Sequence, residues 1–344
     1  MNLKGCSISE LKKIFAEMEE PPYRAEQAFR RINKHLISNT DEFTEFSKSL
    51  RQTLSEEDAL PRLLIRTSQT SSDGTEKCLF VPEDIKRARD EKFMESVWIP
   101  SGKRNTICVS SQYGCSLNCE FCATGRLKFG GNIPTWQILD QIYEFIRHRK
   151  GEKPSNIVFM GMGEPFFNYD SVLTAAHILN HPDGLNISAQ KITISTAGMI
   201  EGIERFTREK EPFHLAISLN HPDSEKRSKM MAINRKNPLN KLLEVARRYT
   251  KSSNKEITFE YVMIPGYNMS EEDAKKLIKI VRSVNCKLNL IPLNTQLEGF
   301  RTPTDDEIVD FSEFLYNADI KFFNRGSPGK DINAACGMLA LKNR

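Results

Sequence analysis

No run of 18 consecutive apolar residues occurs anywhere in this 344-residue chain, which argues against a membrane-spanning helix. The opening Met1-Asn2-Leu3-Lys4-Gly5-Cys6-Ser7 lacks the apolar stretch of a secretory signal, so no export signal is expected. Net charge is only +4, from 49 basic and 45 acidic residues, so bulk charge selects no class of partner. Cysteine is too sparse for a disulfide-stapled scaffold, with eight residues scattered along the whole length. Low-complexity linkers are missing too. These absences predict a cytoplasmic protein with reduced thiols and no membrane partner.

What is present suffices for a sizeable core. Hydrophobic content of 39% against 27% charged fits one large domain with an appendage, or two domains. Residues 7–58 carry helical periodicity, with Leu11, Ile14, Phe15 and Met18 on one face and Ala28, Phe29 and Ile32 on another. Pro21-Pro22 separates the two helices. Over 60–100 the period changes. Two β-rich runs flank Ser71-Ser72-Asp73-Gly74-Thr75, a hairpin signal, and 95–100 reads as a further strand.

From residue 104 onward strands and helices alternate. Apolar strand patterns at 106–110, 156–160, 191–195, 213–219, 257–264, 287–292 and 319–325 are separated by helical patterns. Those helical patterns lie near 135–149, 170–180, 199–209, 239–250, 271–284 and 305–317. The alternation predicts an α/β fold with a parallel sheet, and this many units can curl into a full or partial (β/α) barrel. The division expected is an N-terminal accessory domain over 1–100, helices then β-hairpin, and a core barrel over 101–344.

Cys115, Cys119 and Cys122 fall in the loop after the first barrel strand. Structural zinc almost always takes four protein ligands, and a 4Fe–4S cluster normally takes four thiolates. A C-x3-C-x2-C triplet therefore leaves a metal position open, and open positions are where metal sites do chemistry. A zinc knuckle completed by a distant ligand and an electron-transfer cluster are the other readings. Gly161-Met162-Gly163-Glu164-Pro165, Ser195-Thr196-Ala197-Gly198, Ser218-Leu219-Asn220, Pro265-Gly266 and Pro292-Leu293-Asn294 end the following strands. Ligands of parallel α/β folds bind outside the carboxyl ends of strands, so these loops are expected to outline one cofactor pocket. Any one of them alone is ordinary turn chemistry.

Charge is uneven along the chain. Residues 225–255 hold ten basic and two acidic side chains, including Lys226, Arg227, Lys229, Arg235, Lys236, Lys241, Arg247, Arg248, Lys251 and Lys255. Such a stretch can track a phosphate backbone or be a solvated helix face. The remaining thiols divide. Cys6, Cys78 and Cys286 read as small core hydrophobes, whereas Cys336 lies among small residues that let a ligand approach its sulfur. Cys108, seven residues before Cys115, is a second candidate for catalysis.

The cysteine triplet with its small-residue turn resembles the cluster loop of radical S-adenosylmethionine (radical-SAM) enzymes. Cys108-Val109-Ser110-Ser111-Gln112, the Gly-Met-Gly-Glu-Pro turn and Asp331-Ile332 followed by Ala334-Ala335-Cys336-Gly337 are similar to the RlmN/Cfr family. The similarity runs from Pro21-Pro22-Tyr23-Arg24-Ala25 to Cys336, nearly the whole chain. It implies a methyltransferase acting on an adenine of 23S ribosomal RNA, and on the adenosine 3′ of the anticodon in some tRNAs. Its cofactors would be a 4Fe–4S cluster on Cys115, Cys119 and Cys122, and two molecules of S-adenosylmethionine per turnover. Gly163, Glu164, Ser195, Ser218, Leu219, Asn220 and Asn294 would bind S-adenosylmethionine.

By the same resemblance Cys336 accepts a methyl group, and a 5′-deoxyadenosyl radical takes hydrogen from it. The resulting carbon radical joins the adenine, and Cys108 resolves the protein–RNA adduct by forming a disulfide with Cys336. Glu95 would remove the ring proton; on its own it reads as a surface strand residue. An electron donor such as flavodoxin or ferredoxin and a monomeric state are also implied. Asn220, Thr295, Pro328 and Met338 depart from the family's usual His, Pro, Arg and Gln. Glu164-Pro165 and Ile291-Pro292 read like the RlmN branch, which methylates the 2-position, and not the Cfr branch, which methylates the 8-position. A zinc-stabilised RNA-binding module is the non-catalytic alternative.

Overall fold

The computed structural model describes residues 1–83, 92–295, 297–335 and 337–339. Helix α1 (Ile8–Glu17) begins at a reciprocal cap: the Ser7 hydroxyl accepts from the Glu10 N–H, and the Glu10 carboxylate accepts from the Ser7 N–H at 2.7 Å. Its apolar face buries Leu11 and Phe15, while α2 (Tyr23–Asn33) buries Ala25, Ala28, Phe29 and Ile32. Pro22 caps α2, as the sequence suggests. A third helix, α3 (Lys48–Glu56), started by Ser47, completes this layer and lies within the helical stretch without a separate signal of its own.

Strands β1 (Leu63–Thr70) and β2 (Glu76–Pro82) form the expected antiparallel hairpin. Gly74 holds φ +82° at the turn, a conformation that favours glycine. Strand β3 (Met94–Ser101) pairs antiparallel with β2 and with β4 (Arg104–Cys108), so the sheet runs unbroken across residue 100. After β4 a short ribbon, β5 (Gln112–Tyr113) with β6 (Gly131–Asn132), brackets the cysteine loop.

The sheet then turns parallel. Strand β4 is followed in space by β7 (Asn156–Phe159), β8 (Ile192–Thr196), β9 (His214–Ser218), β10 (Ile257–Met263), β11 (Cys286–Pro292) and β12 (Phe322–Asn324). Crossovers run through α4 (Thr135–His148), α5 (Tyr169–Asn180), α6 (Ile200–Arg208), α7 (Ser224–Met230), α8 (Leu239–Ser253), α9 (Glu271–Arg282) and α10 (Asp305–Tyr316). Spatial order follows chain order, so every crossover advances in one direction and the twisted sheet curls into a partial barrel. The C-terminal segment then reaches the first hairpin. The Gly329 N–H donates to Asp73 Oδ2 at 2.9 Å, and the Ser72 N–H donates to Asp331 Oδ2 at 3.2 Å.

The seven barrel strands and six of the outer helices lie where the alternation placed them; the short α7 was not anticipated. One apolar cluster joins Leu3, Phe15 and Phe29 of the N-terminal region to Ile107, Ile157 and Ile194 of the barrel. A buried ion pair reinforces this joint. Lys4 Nζ sits 2.8 Å from Asp140 Oδ1, their side chains 1% and 0% exposed, and Asp140 Oδ2 accepts from the Leu63 N–H at 2.7 Å. Removing one partner of a buried pair strands the other. Asp140→Ala is expected to cost about 3–5 kcal/mol in chemical denaturation, and a loss below about 1 kcal/mol would show the pair to be dispensable. Among the described residues no helix is long and apolar enough to cross a membrane.

Candidate active site

The carboxyl ends of the parallel strands converge on one cavity. Cys108, Cys115, Cys119, Cys122, Gly163, Glu164, Ser195, Ser218 and Asn220 all line it. Residues from the cysteine loop and from four different strand ends are thereby brought together, but Pro265-Gly266 lines a separate cavity with Tyr267 and Asp273, and Pro292-Leu293-Asn294 is not on the wall of the first.

The cysteine loop is shaped by its backbone. Gly114 holds φ +74°, and a Cβ there would meet the Lys128 carbonyl at 2.8 Å. The Cys122 N–H donates to the Cys119 carbonyl at 3.1 Å, which turns the chain so that all three thiols face the cavity. Leu117, Phe121, Met230, Met231, Ile264 and Leu293 form an apolar wall against them. Burial pushes the Cys115 thiol up to about 12 and the Cys119 thiol well above its usual range. Among the described residues no three Cys, His, Asp or Glu side chains converge closely enough to hold a metal ion. Soft sulfur donors inside an apolar wall suit iron–sulfur chemistry.

Opposite the loop, Gly163 holds φ +98°, and a Cβ there would lie 2.5 Å from the Gln112 side chain. Glycine is therefore required for this turn to seat against the chain beyond β4. The turn delivers Glu164, whose carboxylate is buried and accepts from the Ala197 N–H at 2.7 Å and the Phe166 N–H at 3.1 Å. Burial outweighs those hydrogen bonds and raises its pKa to about 7.

Asn220 sits at φ +55°, a left-handed position that Asn tolerates well. Its Oδ1 accepts from the Val262 N–H at 3.0 Å, tying the end of β9 to β10. His221, next in the chain, is fully buried and turned away, with its Nε2 3.0 Å from the Tyr267 carbonyl. It does not stand in for the family's usual histidine.

Three candidates are not among the residues that line the cavity. Leu219 is buried beneath it, and its N–H donates to the Glu260 carbonyl at 2.9 Å. Asn294 lies two residues beyond the end of β11, and its Nδ2 is buried without a hydrogen-bond partner, a donor left for a bound group. Glu95 is fully buried, not a surface residue, because β3 turns it inward beside Lys77, whose Nζ is 3.5 Å from Oε1. Cys336 lies outside the described residues. Its neighbours Ala334, Ala335 and Gly337 line the cavity, and the Gly337 carbonyl accepts from the Ala123 N–H of the cysteine loop at 2.7 Å.

One member of the basic stretch needs correction. Arg227 is 0% exposed and belongs to the interior, because α7 points it at the ends of β8 and β9. Lys226, Lys229, Arg235, Lys236, Lys241, Arg247, Arg248 and Lys251 are exposed. Glu260 and Arg325, also on the cavity wall, carry no sequence signal that sets them apart from other strand residues.

The profile of the Radical SAM superfamily matches residues 109–278, and that of the ribosomal RNA large subunit methyltransferase N-terminal domain matches 1–59. A protein of Leptospira biflexa named "Probable dual-specificity RNA methyltransferase RlmN" is 50% identical over 99% of this chain and 96% of its own. The Geobacter sulfurreducens "Dual-specificity RNA methyltransferase RlmN" is 40% identical over 99% of this chain and 92% of its own. A crystal structure of a radical SAM methyltransferase from Sphaerobacter thermophilus superposes with a TM-score of 0.91 at 35% identity, covering 98% of both chains. The chain therefore belongs to the RlmN family, RNA methyltransferases of the radical-SAM superfamily that work with a 4Fe–4S cluster and S-adenosylmethionine.

Proposed function

We propose that this enzyme methylates the 2-position of an adenosine in 23S ribosomal RNA, and the adenosine 3′ of the anticodon in some tRNAs, through a methyl-cysteine on Cys336. The observation that carries the reading is one cavity lined by Cys108, the three cluster thiols and the residues flanking Cys336. A radical-SAM site without two-cysteine chemistry has no use for that juxtaposition. The dual-specificity name of the relatives supports both RNA substrates, and their RlmN name favours the 2-position over the 8-position.

The 2-position of adenine is an electron-poor ring carbon and a poor nucleophile toward a methylsulfonium. When bound, the cluster and S-adenosylmethionine supply hydrogen abstraction by a carbon radical, which a polar route lacks. Two molecules of S-adenosylmethionine are then consumed, one as methyl donor and one for the abstraction. Cys336 acts as the nucleophile that takes the methyl group and presents it to the base. Glu95 takes the ring proton. Lys77 Nζ, 3.5 Å from Glu95 Oε1, also lies 3.5 Å from the Asn333 carbonyl and so links the base to the segment carrying Cys336. Cys108 attacks the Cys336 sulfur; a sulfur–sulfur bond forms as the carbon–sulfur bond breaks, the carbon keeps that electron pair and takes a proton from water to become the methyl group, and a thiol reductant reopens the disulfide before the next turnover. A small electron-donor protein of the flavodoxin or ferredoxin class supplies the electron.

Cofactor binding falls to the strand ends. Gly163, Ser195, Ser218, Asn220 and Asn294 provide backbone groups, hydroxyls and amides, Leu219 holds the end of β9 beneath them through its own backbone hydrogen bonds, and Glu164 provides the carboxylate for the cofactor's amino group. Glu164→Gln is expected to weaken S-adenosylmethionine binding by about tenfold or more, the worth of a charge-assisted hydrogen bond. Calorimetric titration of the reconstituted protein measures it, and unchanged affinity would remove Glu164 from the site. Mass spectrometry of nucleosides from rRNA and tRNA treated with the reconstituted enzyme tests the reaction itself. The expected product is 2-methyladenosine; 8-methyladenosine alone would reassign the branch, and an unmodified RNA would overturn the reading.

A further inference from the structure

Arg227 carries a buried charge with which no carboxylate among the described residues forms an ion pair. Its side chain is 0% exposed, and every hydrogen-bond partner is neutral. Nε donates to the Leu219 carbonyl at 2.9 Å, and Nη1 donates to Asn234 Oδ1 at 2.7 Å. Nη2 donates to the Ala197 carbonyl at 2.7 Å and the Ser218 carbonyl at 2.9 Å. Among the described residues no carboxylate forms an ion pair with it. Removing a charge from water costs several kcal/mol unless an opposite charge offsets it. The ionisable group whose charge it feels is Cys119, a cysteine of the cluster loop. Burial lowers the guanidinium to about 10, so it remains a cation at neutral pH.

Its position is equally specific. Ala197 and Ser218 stand at the carboxyl ends of β8 and β9, and both line the cavity. The Ala197 N–H also holds Glu164. One planar guanidinium thus clamps two strand ends by their carbonyls, a geometry that a lysine ammonium does not reproduce. Helix α7 continues into Met230, whose carbonyl accepts from the Glu120 N–H inside the cysteine loop at 3.0 Å.

We propose that Arg227 is a positioning residue of the cluster site: its buried guanidinium is the countercharge to the cysteine thiolates and locks the two strand ends that face the cofactor. A reduced cluster carries one more negative charge than an oxidised one, so a fixed neighbouring cation favours reduction. The inference rests on the cluster site and is independent of which base is methylated.

The test uses cluster-reconstituted protein without RNA, comparing Arg227→Gln, Arg227→Lys and Asn234→Asp. Redox titration followed by electron paramagnetic resonance reads the cluster's midpoint potential, and titration with S-adenosylmethionine reads affinity. Arg227→Gln removes the charge, and Asn234→Asp pairs it with a carboxylate while the guanidinium stays in place. Both are expected to make the cluster harder to reduce. Arg227→Lys keeps the charge and loses the clamp, so its midpoint should stay near that of the parent while cofactor affinity falls about tenfold. Unchanged midpoints in Arg227→Gln and Asn234→Asp would overturn the proposal and leave Arg227 a structural tie. A midpoint in Arg227→Lys as low as in Arg227→Gln would equally overturn the countercharge role. If Arg227→Gln does not fold, Asn234→Asp decides.

Discussion

Cys108→Ala enzyme, reconstituted and supplied with S-adenosylmethionine, reductant and RNA, is expected to stop after one turnover with its RNA covalently attached. Cys108 ends β4, is 8% exposed and lines the cavity that Ala334, Ala335 and Gly337 also line, with Ala334 in the same apolar cluster. Without its thiol, methyl transfer to Cys336 and addition to the base can still proceed, because neither uses Cys108. Release cannot, because no second sulfur is present to displace the bond between Cys336 and the new methyl group. Steady-state turnover should fall on the order of 10³-fold or more, the scale lost with a residue of a covalent mechanism. The substitution trims one buried sulfur and leaves the sheet register of β4 intact, so folding is expected to survive. Gel retardation that persists under denaturing conditions detects the adduct. Normal turnover with no such species would refute the two-cysteine scheme and leave the radical-SAM assignment standing.

Cys119→Ala produces the opposite failure. It should abolish cluster retention, and with it both hydrogen abstraction and methylation, without trapping any RNA. Three thiolates already leave one iron without a protein ligand, and a cluster held by two is labile. Cys119 is packed among Phe121, Met230 and Met231, so the loss of a sulfur inside an apolar wall costs the fold little next to what it costs the metal site. Iron and sulfide content after anaerobic reconstitution, together with the visible absorption of the cluster, reads the effect. A variant that keeps parental iron and sulfide would show that Cys119 is not a ligand. A colourless parent holding one zinc ion would instead favour the metal-stabilised RNA-binding module. The two substitutions separate the tasks that the proposed function gives the five central thiols: reactivity from the loop triplet, and its direction by Cys108 with Cys336.

Much of the architecture was legible before any coordinates. The seven barrel strands announced themselves as short apolar runs, and the helices between them as amphipathic periods, because both signals are local. Asp73-Gly74 marked the hairpin for the same reason. The cavity was legible from the rule that parallel folds bind at the carboxyl ends of strands, which turned scattered Gly, Ser and Asn motifs into one site. Side-chain direction was much less legible. Arg227 sits among ten basic residues, and nothing in its neighbours distinguishes it from the exposed Lys226 and Lys229 on either side. Glu95 alternates along β3 with residues that could equally have faced water. Helix α3 falls inside the helical stretch over 7–58 without a boundary of its own, and the short α7 escapes because two turns carry too little period to rise above their surroundings.

Sequence alone determined the order of elements, the open-ended cysteine loop and, through its motifs, the family. Those properties depend on spacing along the chain, which folding cannot change. Only the tertiary structure decided which groups share a cavity and which are buried. Sheet register places Cys108 on the same cavity as the segment around Cys336, more than two hundred residues later. The crossover from β9 to β10 drives Arg227 into the interior against the ends of β8 and β9, where its charge has no carboxylate partner among the described residues. Burial and juxtaposition are sums over distant neighbours, and no local pattern encodes them.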